Sequence, residues 1–460
     1  MLHPLRLNSR TTDSFSRRGV IATAVMVAGS LLLGACGSDS NDSPRTQLRV
    51  IHASPDAPKV NVLLNGEAVL TEVNYKEGSG FLDPERGTYD VTVEAITPGD
   101  DVNVISVPGV TLAADTAYSV LAIGKVANIQ PLVLANPRTP VTAGKARAQV
   151  VHAAPDAPAV SVYVTAPGAD LATATALGAF SFGEDLGPVE VPAGSYQIRV
   201  TLANNPAAVV YDAGTVALAA GADLLLVAVA NTTTGSAPIS LLVNDGDTQS
   251  ELLDVETPAD VRAGHLSPDA PAVDVIANDD LANPVFNAVT YPSLTSYASV
   301  PPATYNVKVV ADANQSVTVI EADLAVVAGQ SYSVLAVGLL RDMEPLVLTD
   351  DRRSIATEAR VRIVHGSPSA GNVDIYVAAP DTDISTISPT FANVPFKANT
   401  GYVGLTAATY EVSVTPAGAK SPVAISATLP LENGDIFTAI ARDATGGGAP
   451  LGLLVQDETT

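Results

Sequence analysis

The sequence predicts an all-β protein, with four tandem antiparallel β-sandwich modules of the immunoglobulin-like type after a signal peptide. Three observations predict it. Short runs alternate apolar and polar residues at a period of two, as in residues 89–93. Clusters of Gly, Pro and Asp separate runs that are rich in Val and Thr. One pattern of strands and turns also occurs four times, which indicates a repeated module.

The repeats share three landmarks. The first is a strand that ends on a histidine and leads into a turn that contains Ser or Ala and Pro, at His52, His152, His265 and His365. The second is a short strand with a tyrosine at its third position, at Tyr89, Tyr196, Tyr305 and Tyr410. The third is a turn before a strand. Its Tyr118 and Tyr332 resemble the tyrosine corner of sandwich domains, whereas Leu224 and Phe437 lack the hydroxyl that such a corner needs.

These landmarks divide the chain into a signal peptide, a tether and four modules. The predicted boundaries are 1–35 for the signal peptide, 36–46 for the flexible tether, and 47–140, 146–250, 258–350 and 358–460 for modules 1 to 4. Pro-, Gly- and Thr-rich segments such as 136–144 are predicted to be exposed linkers between them. We therefore expect each module to have its own core, and the array to be extended.

The N-terminus is typical of an export signal. Arginines precede an apolar stretch that is short for a membrane span, and the stretch ends in Leu33-Gly34-Ala35-Cys36, which resembles a bacterial lipobox. That resemblance implies cleavage before Cys36, a lipid thioether on its sulfur and acylation of the new amino group, by palmitate for instance. Cys36 is the only cysteine in the chain. Two or three acyl chains suffice for stable anchoring, so a membrane is a predicted partner.

The position after the lipid site bears on localisation. Gly37, rather than Asp, follows Cys36, which favours the outer membrane in Gram-negative bacteria. Residues 16–21 partly match a twin-arginine signal, so both twin-arginine and general secretory export stay open, as does the membrane face on which the protein lies. A short transmembrane anchor with a chance cysteine is the alternative to lipidation.

The repeated segment from the histidine to the following Val-x-Val strand resembles the bacterial domain-of-unknown-function family 4397. The resemblance covers nearly all of the chain from about residue 47 onward. It departs from the pattern in the fourth copy, where Ser369 replaces the turn Asp and Gly371 replaces the last Pro. The resemblance implies an exported, sandwich-like protein, and it implies no established activity.

The recurring histidines are the candidate site. Each ends a strand with alternating apolar residues, which predicts that the imidazole points into the core at the end of the sheet. The favoured interpretation is structural, with the ring hydrogen-bonded to backbone or to the turn Asp. The alternatives are a weak ligand contact, or a metal or catalytic site at the pairs His52 and Asp56, His152 and Asp156, and His265 and Asp269, with His365 lacking an Asp. One His and one Asp are too few for zinc.

Two acidic clusters at module junctions are alternative calcium sites, against the favoured interpretation as solvated linkers. They comprise residues 244–254 and the pair Asp350 and Asp351. The first junction, 137–147, contains no acidic residue, which argues against a common calcium mechanism. No catalytic motif is present in the sequence, so neither a cofactor nor a metal is predicted.

Composition narrows the function classes further. The 460-residue chain has a formal net charge of −24, which would repel a nucleic acid. It contains no Trp, which weakens a glycan-binding interpretation. We expect a lipid-anchored envelope protein with a non-enzymatic structural, spacer or adhesion-like role. A module that binds an envelope protein, a polysaccharide or a small ligand is the alternative, and an enzyme is the least favoured class.

Overall fold

A computed structural model describes residues 46–459, and its regular elements are β-strands and three short 3₁₀ helices. The signal peptide 1–35, Cys36 and nearly all of the tether lie outside the described residues. Within 46–459 no helix has the length and apolar character that crossing a bilayer requires. The 3₁₀ helices are Val126–Asn128, Leu340–Asp342 and Ile384–Thr386.

Modules 1 and 2 contain sixteen strands in chain order. Those of module 1 are β1 (Gln47–Ala53), β2 (Val60–Leu64), β3 (Glu67–Val73), β4 (Gly87–Ala95), β5 (Val102–Leu112), β6 (Thr116–Ile123) and β7 (Gln130–Pro137). Those of module 2 are β8 (Lys145–His152), β9 (Val160–Thr165), β10 (Gly178–Phe180), β11 (Asp185–Pro192), β12 (Gly194–Leu202), β13 (Val209–Leu218), β14 (Asp223–Ala230), β15 (Ile239–Asn244) and β16 (Gln249–Leu252).

Modules 3 and 4 repeat this pattern of strands. The strands of module 3 are β17 (Ala259–Leu266), β18 (Val273–Ala277), β19 (Phe286–Val289), β20 (Ser293–Leu294), β21 (Ala298–Val300), β22 (Ala303–Ala311), β23 (Asn314–Val326), β24 (Ser331–Val337) and β25 (Glu344–Asp350). Those of module 4 are β26 (Ala359–His365), β27 (Val373–Ala378), β28 (Phe391–Val394), β29 (Asn399–Leu405), β30 (Ala408–Pro416), β31 (Ile425–Leu431), β32 (Ile436–Arg442) and β33 (Gly452–Asp457).

Each repeat folds into two sheets, which confirms the predicted all-β sandwich. We call the sheet with the histidine strand the histidine sheet; its orders are β1-β6-β7, β11-β8-β14-β15-β16, β20-β17-β24-β25 and β29-β26-β32-β33. The second sheets are β3-β2-β4-β5, β10-β9-β12-β13, β19-β18-β22-β23 and β28-β27-β30-β31. The two sheets of a module pack on each other through alternate apolar residues, such as Val50 against Val62 in module 1.

One strand pair in each module departs from the antiparallel arrangement. The histidine strands β1, β8, β17 and β26 pair in parallel with β6, β14, β24 and β32, while the other pairs between described strands are antiparallel. The paired strands are far apart in the chain, because the connection between them passes through the whole second sheet. Such a crossover is what lets two strands of one sheet run in the same direction.

Each module has an apolar core of its own, as expected, but two further apolar clusters cross module boundaries, so the modules are not independent of one another. One cluster joins Ile51 and Leu121 of module 1 to Val151 and Leu225 of module 2, all 0% exposed. A second joins Leu335 of module 3 to apolar residues of module 4. The histidine sheets of modules 1 and 2, and those of modules 3 and 4, therefore pack face to face.

The chain also folds back on itself, contrary to the expected extended array. Arg353, in the linker between modules 3 and 4, donates from Nη1 to the carbonyl of Ala57 at 2.8 Å and from Nη2 to Asn74 Oδ1 at 2.9 Å. Both acceptors lie in module 1. The backbone N–H of Ala356 donates to the carbonyl of Asp56 at 2.8 Å. The first linker, segment 137–144, is largely exposed, as predicted. The linker between modules 3 and 4 differs from that prediction, because its Arg353 is buried.

Candidate functional site

The histidine turn is built from two side-chain bonds to the backbone. His52 lies 1% exposed at the end of β1, on the face shared by Leu48 and Val50, as alternation predicted. Its Nε2 bonds the carbonyl of Pro58 at 3.0 Å, and its Nδ1 accepts from the N–H of Ser54 at 3.3 Å. These contacts require a neutral ring with the proton on Nε2. The ring thus joins the strand end to both sides of the turn.

The same bond recurs in the other three modules. Nε2 contacts the carbonyl six residues onward at 3.1, 2.8 and 2.7 Å, in His152, His265 and His365. An aromatic ring packs edge-on against each histidine at about 6 Å between centroids, and the nearest rings are Tyr75, Phe180, Tyr291 and Phe396. Sequence analysis missed these partners, although each lies in the segment that follows the Val-x-Val strand. Bonds to the backbone and packing against a neighbouring ring are the contacts expected of histidines with a structural role.

The turn aspartates bond elsewhere than to the histidines. Asp56 Oδ1 accepts from the N–H of Val126, and Asp269 Oδ1 from that of Leu340, both at 2.7 Å. Each acceptor thereby caps the first residue of a 3₁₀ helix. Asp156 instead pairs with Lys125 Nζ of module 1 at 2.8 Å. Among residues 46–459 no hydrogen bond joins a motif histidine to the aspartate of its own turn.

Burial keeps these histidines uncharged. Desolvation lowers the pKa of His52 from 6.5 to about 4, which outweighs the opposing bond to the Pro58 carbonyl, and the charge of Arg353 lowers it further. Burial likewise lowers the pKa of His152, His265 and His365. A neutral imidazole that donates from Nε2 is the form that the turn requires.

The depressed pKa of His52 predicts a stability loss in mild acid. Between about pH 6.5 and 4 the unfolded chain binds a proton at this ring that the folded chain does not, so stability is full above pH 6.5 and falls as pH drops towards 4. His52 alone should contribute about 3 kcal/mol to this loss. Urea denaturation of the wild type and of His52→Gln at pH 7, 6 and 5 measures it. Equal pH dependence in the two proteins would contradict the prediction.

The tyrosines of the second landmark have a common role that the sequence did not reveal. Each hydroxyl donates to the carbonyl four residues upstream, at 2.8, 2.8, 2.8 and 3.1 Å for Tyr89, Tyr196, Tyr305 and Tyr410. The predicted corner tyrosines also bond upstream backbone. Tyr118 accepts from the N–H of Ala113 at 3.0 Å, and Tyr332 from that of Val327 at 3.3 Å. In all four modules, therefore, a tyrosine hydroxyl on the strand after a turn bonds the backbone before that strand.

A buried charge network joins modules 3 and 4. Arg362 on β26 donates to Asp350 Oδ1 of module 3 at 2.6 Å, and Arg262 on β17 donates to Glu458 Oε1 of module 4. All four side chains are at most 2% exposed. Each module thus supplies an arginine to the other module's acid, in a reciprocal arrangement. Charges removed from water this completely must be paired, which fixes how the two modules meet.

Tyrosines complete the network. Tyr297 donates to Asp350 at 2.8 Å and Tyr402 to Glu458 at 2.6 Å, while the Arg262 and Arg362 guanidiniums lie 4.7 and 4.6 Å from the centroids of the same two rings. Burial disfavours ionisation of Glu458. The charge of Arg262 and bonds from Thr438, Tyr402 and Arg262 outweigh that and lower its pKa.

Modules 1 and 2 have an amide version of this interface. Arg49 Nη1 donates to Asn244 Oδ1 at 2.9 Å and lies 4.7 Å from the centroid of the Phe81 ring. On the other side, Asn136 Nδ2 donates to Gln149 Oε1 at 2.7 Å. Gln149 stands in module 2 where module 4 has Arg362, as the strand register shows. The position therefore carries a neutral side chain in one pair and a charged one in the other.

The acidic clusters at the junctions are engaged in protein contacts. Asn244 and Asp350 belong to the two module interfaces and are buried, so they are not solvated linker residues. Asp245 caps its own turn through the N–H of Thr248 at 2.7 Å, and Asp351 pairs with Arg360 at 2.6 Å. In the part of the chain that the structure describes, no group of three or more His, Cys, Asp or Glu could hold a metal ion.

A polar cleft of about 1080 Å³ lies between the first pair of modules and the second. It is bordered by Pro55 and Asp56 of module 1, by the loop 230–236 of module 2, and by residues 349–354, which end β25 and begin the linker to module 4. Asp156, Lys125 and Arg352 also line it. The cleft occurs once in the fold rather than once in each module.

These features define a repeat protein of β-sandwich modules in which histidine turns and paired histidine sheets organise the structure. The chain belongs to the family described as Domain of unknown function (DUF4397), whose model matches residues 46–163 and 259–376. Each match covers one odd-numbered module and continues to the second strand of the next, across the shared core. The search of curated proteins found no match.

Proposed function

We propose that the protein is lipid-anchored in the cell envelope and has a structural, spacer or adhesion-like role that involves no catalysis. The observation that carries the proposal is the N-terminal sequence, where the only cysteine follows an apolar stretch and the residues Leu33-Gly34-Ala35. Acyl chains on Cys36 would hold the modules at the outer membrane, with residues 37–46 as tether.

The paired modules support a stiff scaffold more than a flexible spacer. Face-to-face cores and buried charge pairs restrict motion between partners, and the contacts of Arg353 join the two pairs. An array of this kind presents four turns and their loops in a fixed arrangement. A fixed arrangement suits a protein that holds or contacts other envelope components.

Lipidation is tested by replacing the cysteine. Cys36→Ser should lose all labelling by a clickable palmitate analogue, since the chain has no other thiol, and the uncleaved precursor should accumulate. The matched control is Ser38→Ala, two residues along, which should label like the wild type. Label on the Cys36→Ser protein would contradict lipidation at this position.

A ligand-binding role is the second candidate, and the polar cleft between the module pairs favours it. Its acidic and basic side chains, with the threonines of the loop 230–236, suit a polar polymer or small polar ligand. Thr233 is exposed in that loop, so Thr233→Trp should block the cleft without disturbing a core. If binding is the function, envelope polysaccharide retained by the wild type should not be retained by this variant. Equal retention would count against the cleft.

A further inference from the structure

The sandwich of module 3 contains an apolar cavity of about 200 Å³ between β17 and β24 on one side and β18, β22 and β23 on the other. The corresponding spaces in modules 1 and 2 measure about 30 and 20 Å³. Protein interiors are ordinarily packed without voids of this size. The four repeats share one fold, so the difference must come from side chains.

Three alanines account for the space. Strand register places Ala263, Ala277 and Ala322 where module 1 has Val50, Leu64 and Val107. Each replacement removes two or three carbon atoms from the wall that faces the other sheet. All three alanines line the cavity. Phe286 stands where module 1 has Leu70, and it lines the cavity without closing it.

The polar residues of the wall are engaged with other groups of the protein. Arg262 donates to Ser333 and Glu458, and Asp323 accepts from Asn306 Nδ2 at 3.2 Å. His265 reaches the cavity, but its Nε2 bonds the Pro271 carbonyl at 2.8 Å and its Nδ1 accepts from Ser267. The hydroxyl of Tyr305 is likewise used, by the Pro301 carbonyl at 2.8 Å. Polar groups already satisfied by backbone leave an apolar surface, which favours an apolar occupant over water.

The cavity is open to solvent at its edges. Val347 on β25 lines it and is 45% exposed, and Val285 beside β19 lines it and is 36% exposed. A molecule could therefore enter between the sheets without unfolding the module. Val133, which occupies the position of Val347 in module 1, is equally exposed, so the two modules differ in internal volume rather than in access.

We propose that module 3 is a binding site for a compact, uncharged apolar molecule, of the size of a benzene ring with a short alkyl chain. An apolar cavity of about 150 Å³ is sufficient to bind benzene, so the volume here allows a somewhat larger group. The three alanines are the residues that determine specificity by size. The proposal is independent of the lipid anchor and of the role in the envelope.

The test is a titration of the exported chain made without its lipid, residues 37–460, with n-butylbenzene. Calorimetry should show saturable binding of one molecule per chain, and methyl NMR shifts should be confined to side chains such as Val309 and Ile320. A variant with a filled cavity is made by giving module 3 the larger residues of module 1, as Ala263→Val with Ala277→Leu. It should bind at least tenfold more weakly while melting no lower than the wild type.

A reciprocal variant keeps the test decisive if the filled protein folds poorly. Val50→Ala with Leu64→Ala should open the equivalent space in module 1 and raise the stoichiometry from one to two. Ala322→Val alone should weaken binding in module 3. Absence of saturable binding by the wild type, or equal affinity in the filled variant, would overturn the proposal. n-Octanol in place of n-butylbenzene distinguishes a site for alkyl chains from one for rings.

Discussion

Leu225→Asp is expected to unfold the first pair of modules. Leu225 lies on β14 and is 0% exposed, yet its side chain faces module 1 rather than the sandwich of its own module. The substitution removes apolar contacts worth about 2–5 kcal/mol in comparable cores, and it forces a carboxylate into an apolar interface. The combined loss is comparable to the entire stability of a typical domain, about 5–15 kcal/mol.

The control for this prediction is Val209→Asp. Val209 lies on β13 of the same module and is 45% exposed, so the change should cost under about 1 kcal/mol. Chemical denaturation of both variants of the chain measures the difference. If Leu225→Asp were as mild as Val209→Asp, that face of β14 would be in contact with water, and modules 1 and 2 would not share a core.

Arg362→Ala is expected to be the most damaging loss of a single charge. The guanidinium is 2% exposed and donates to Asp350 Oδ1 and Thr438 Oγ1, at 2.6 and 2.9 Å. Its removal leaves the buried Asp350 carboxylate with the neutral donors Tyr297 and Ser333 and with the more distant charge of Arg262, whose Nε is 3.9 Å away. Breaking a buried pair in this way costs about 3–5 kcal/mol.

Arg341→Ala is the matched control, because the Arg341 side chain is 80% exposed and pairs with its neighbour Asp342. Exposed pairs contribute about 0–1 kcal/mol. The wild-type network should also resist salt, since buried pairs are screened little. Similar free energies of unfolding for Arg362→Ala and Arg341→Ala would show that the network does not hold modules 3 and 4 together.

The repeat and the β-sandwich fold could both be predicted from the sequence. Alternation along β1 placed Leu48, Val50 and His52 on one buried face, and the structure confirms that face. The tyrosine corner at Tyr118 and Tyr332 was also correctly predicted, because its hydroxyl bonds only nearby backbone. Features that depend on local chain geometry could be deduced from one module alone.

The pairing of modules was missed because its signal is carried by the opposite face of the same strands. Ile51 alternates with His52, and β14 is apolar at every position from Leu224 to Ala230. A continuous apolar run is typical of a strand that is buried on both faces. The apolar run of β14 thus predicts from the sequence that both faces of the strand are buried, but it does not say which surface covers the second face.

Long-range partners could not be deduced at all. Arg262 meets Glu458 across 196 residues of sequence, and Arg353 reaches Ala57 across 296. A single sequence shows charges of both signs without showing which of them meet. The cavity of module 3 is an intermediate case, since Ala263 and Ala277 are visible in a comparison of the repeats once the strand register is known.

The central claim is that the pair of modules, rather than the single module, is the folding unit. Fragments 47–140 and 47–250, compared by calorimetry and urea denaturation, test it most directly. Module 1 alone would expose Ile51 and Leu121 to water, so it should unfold without a cooperative transition or associate, whereas 47–250 should unfold in one cooperative step. A folded, monomeric 47–140 that unfolds at the same urea concentration as 47–250 would contradict the claim.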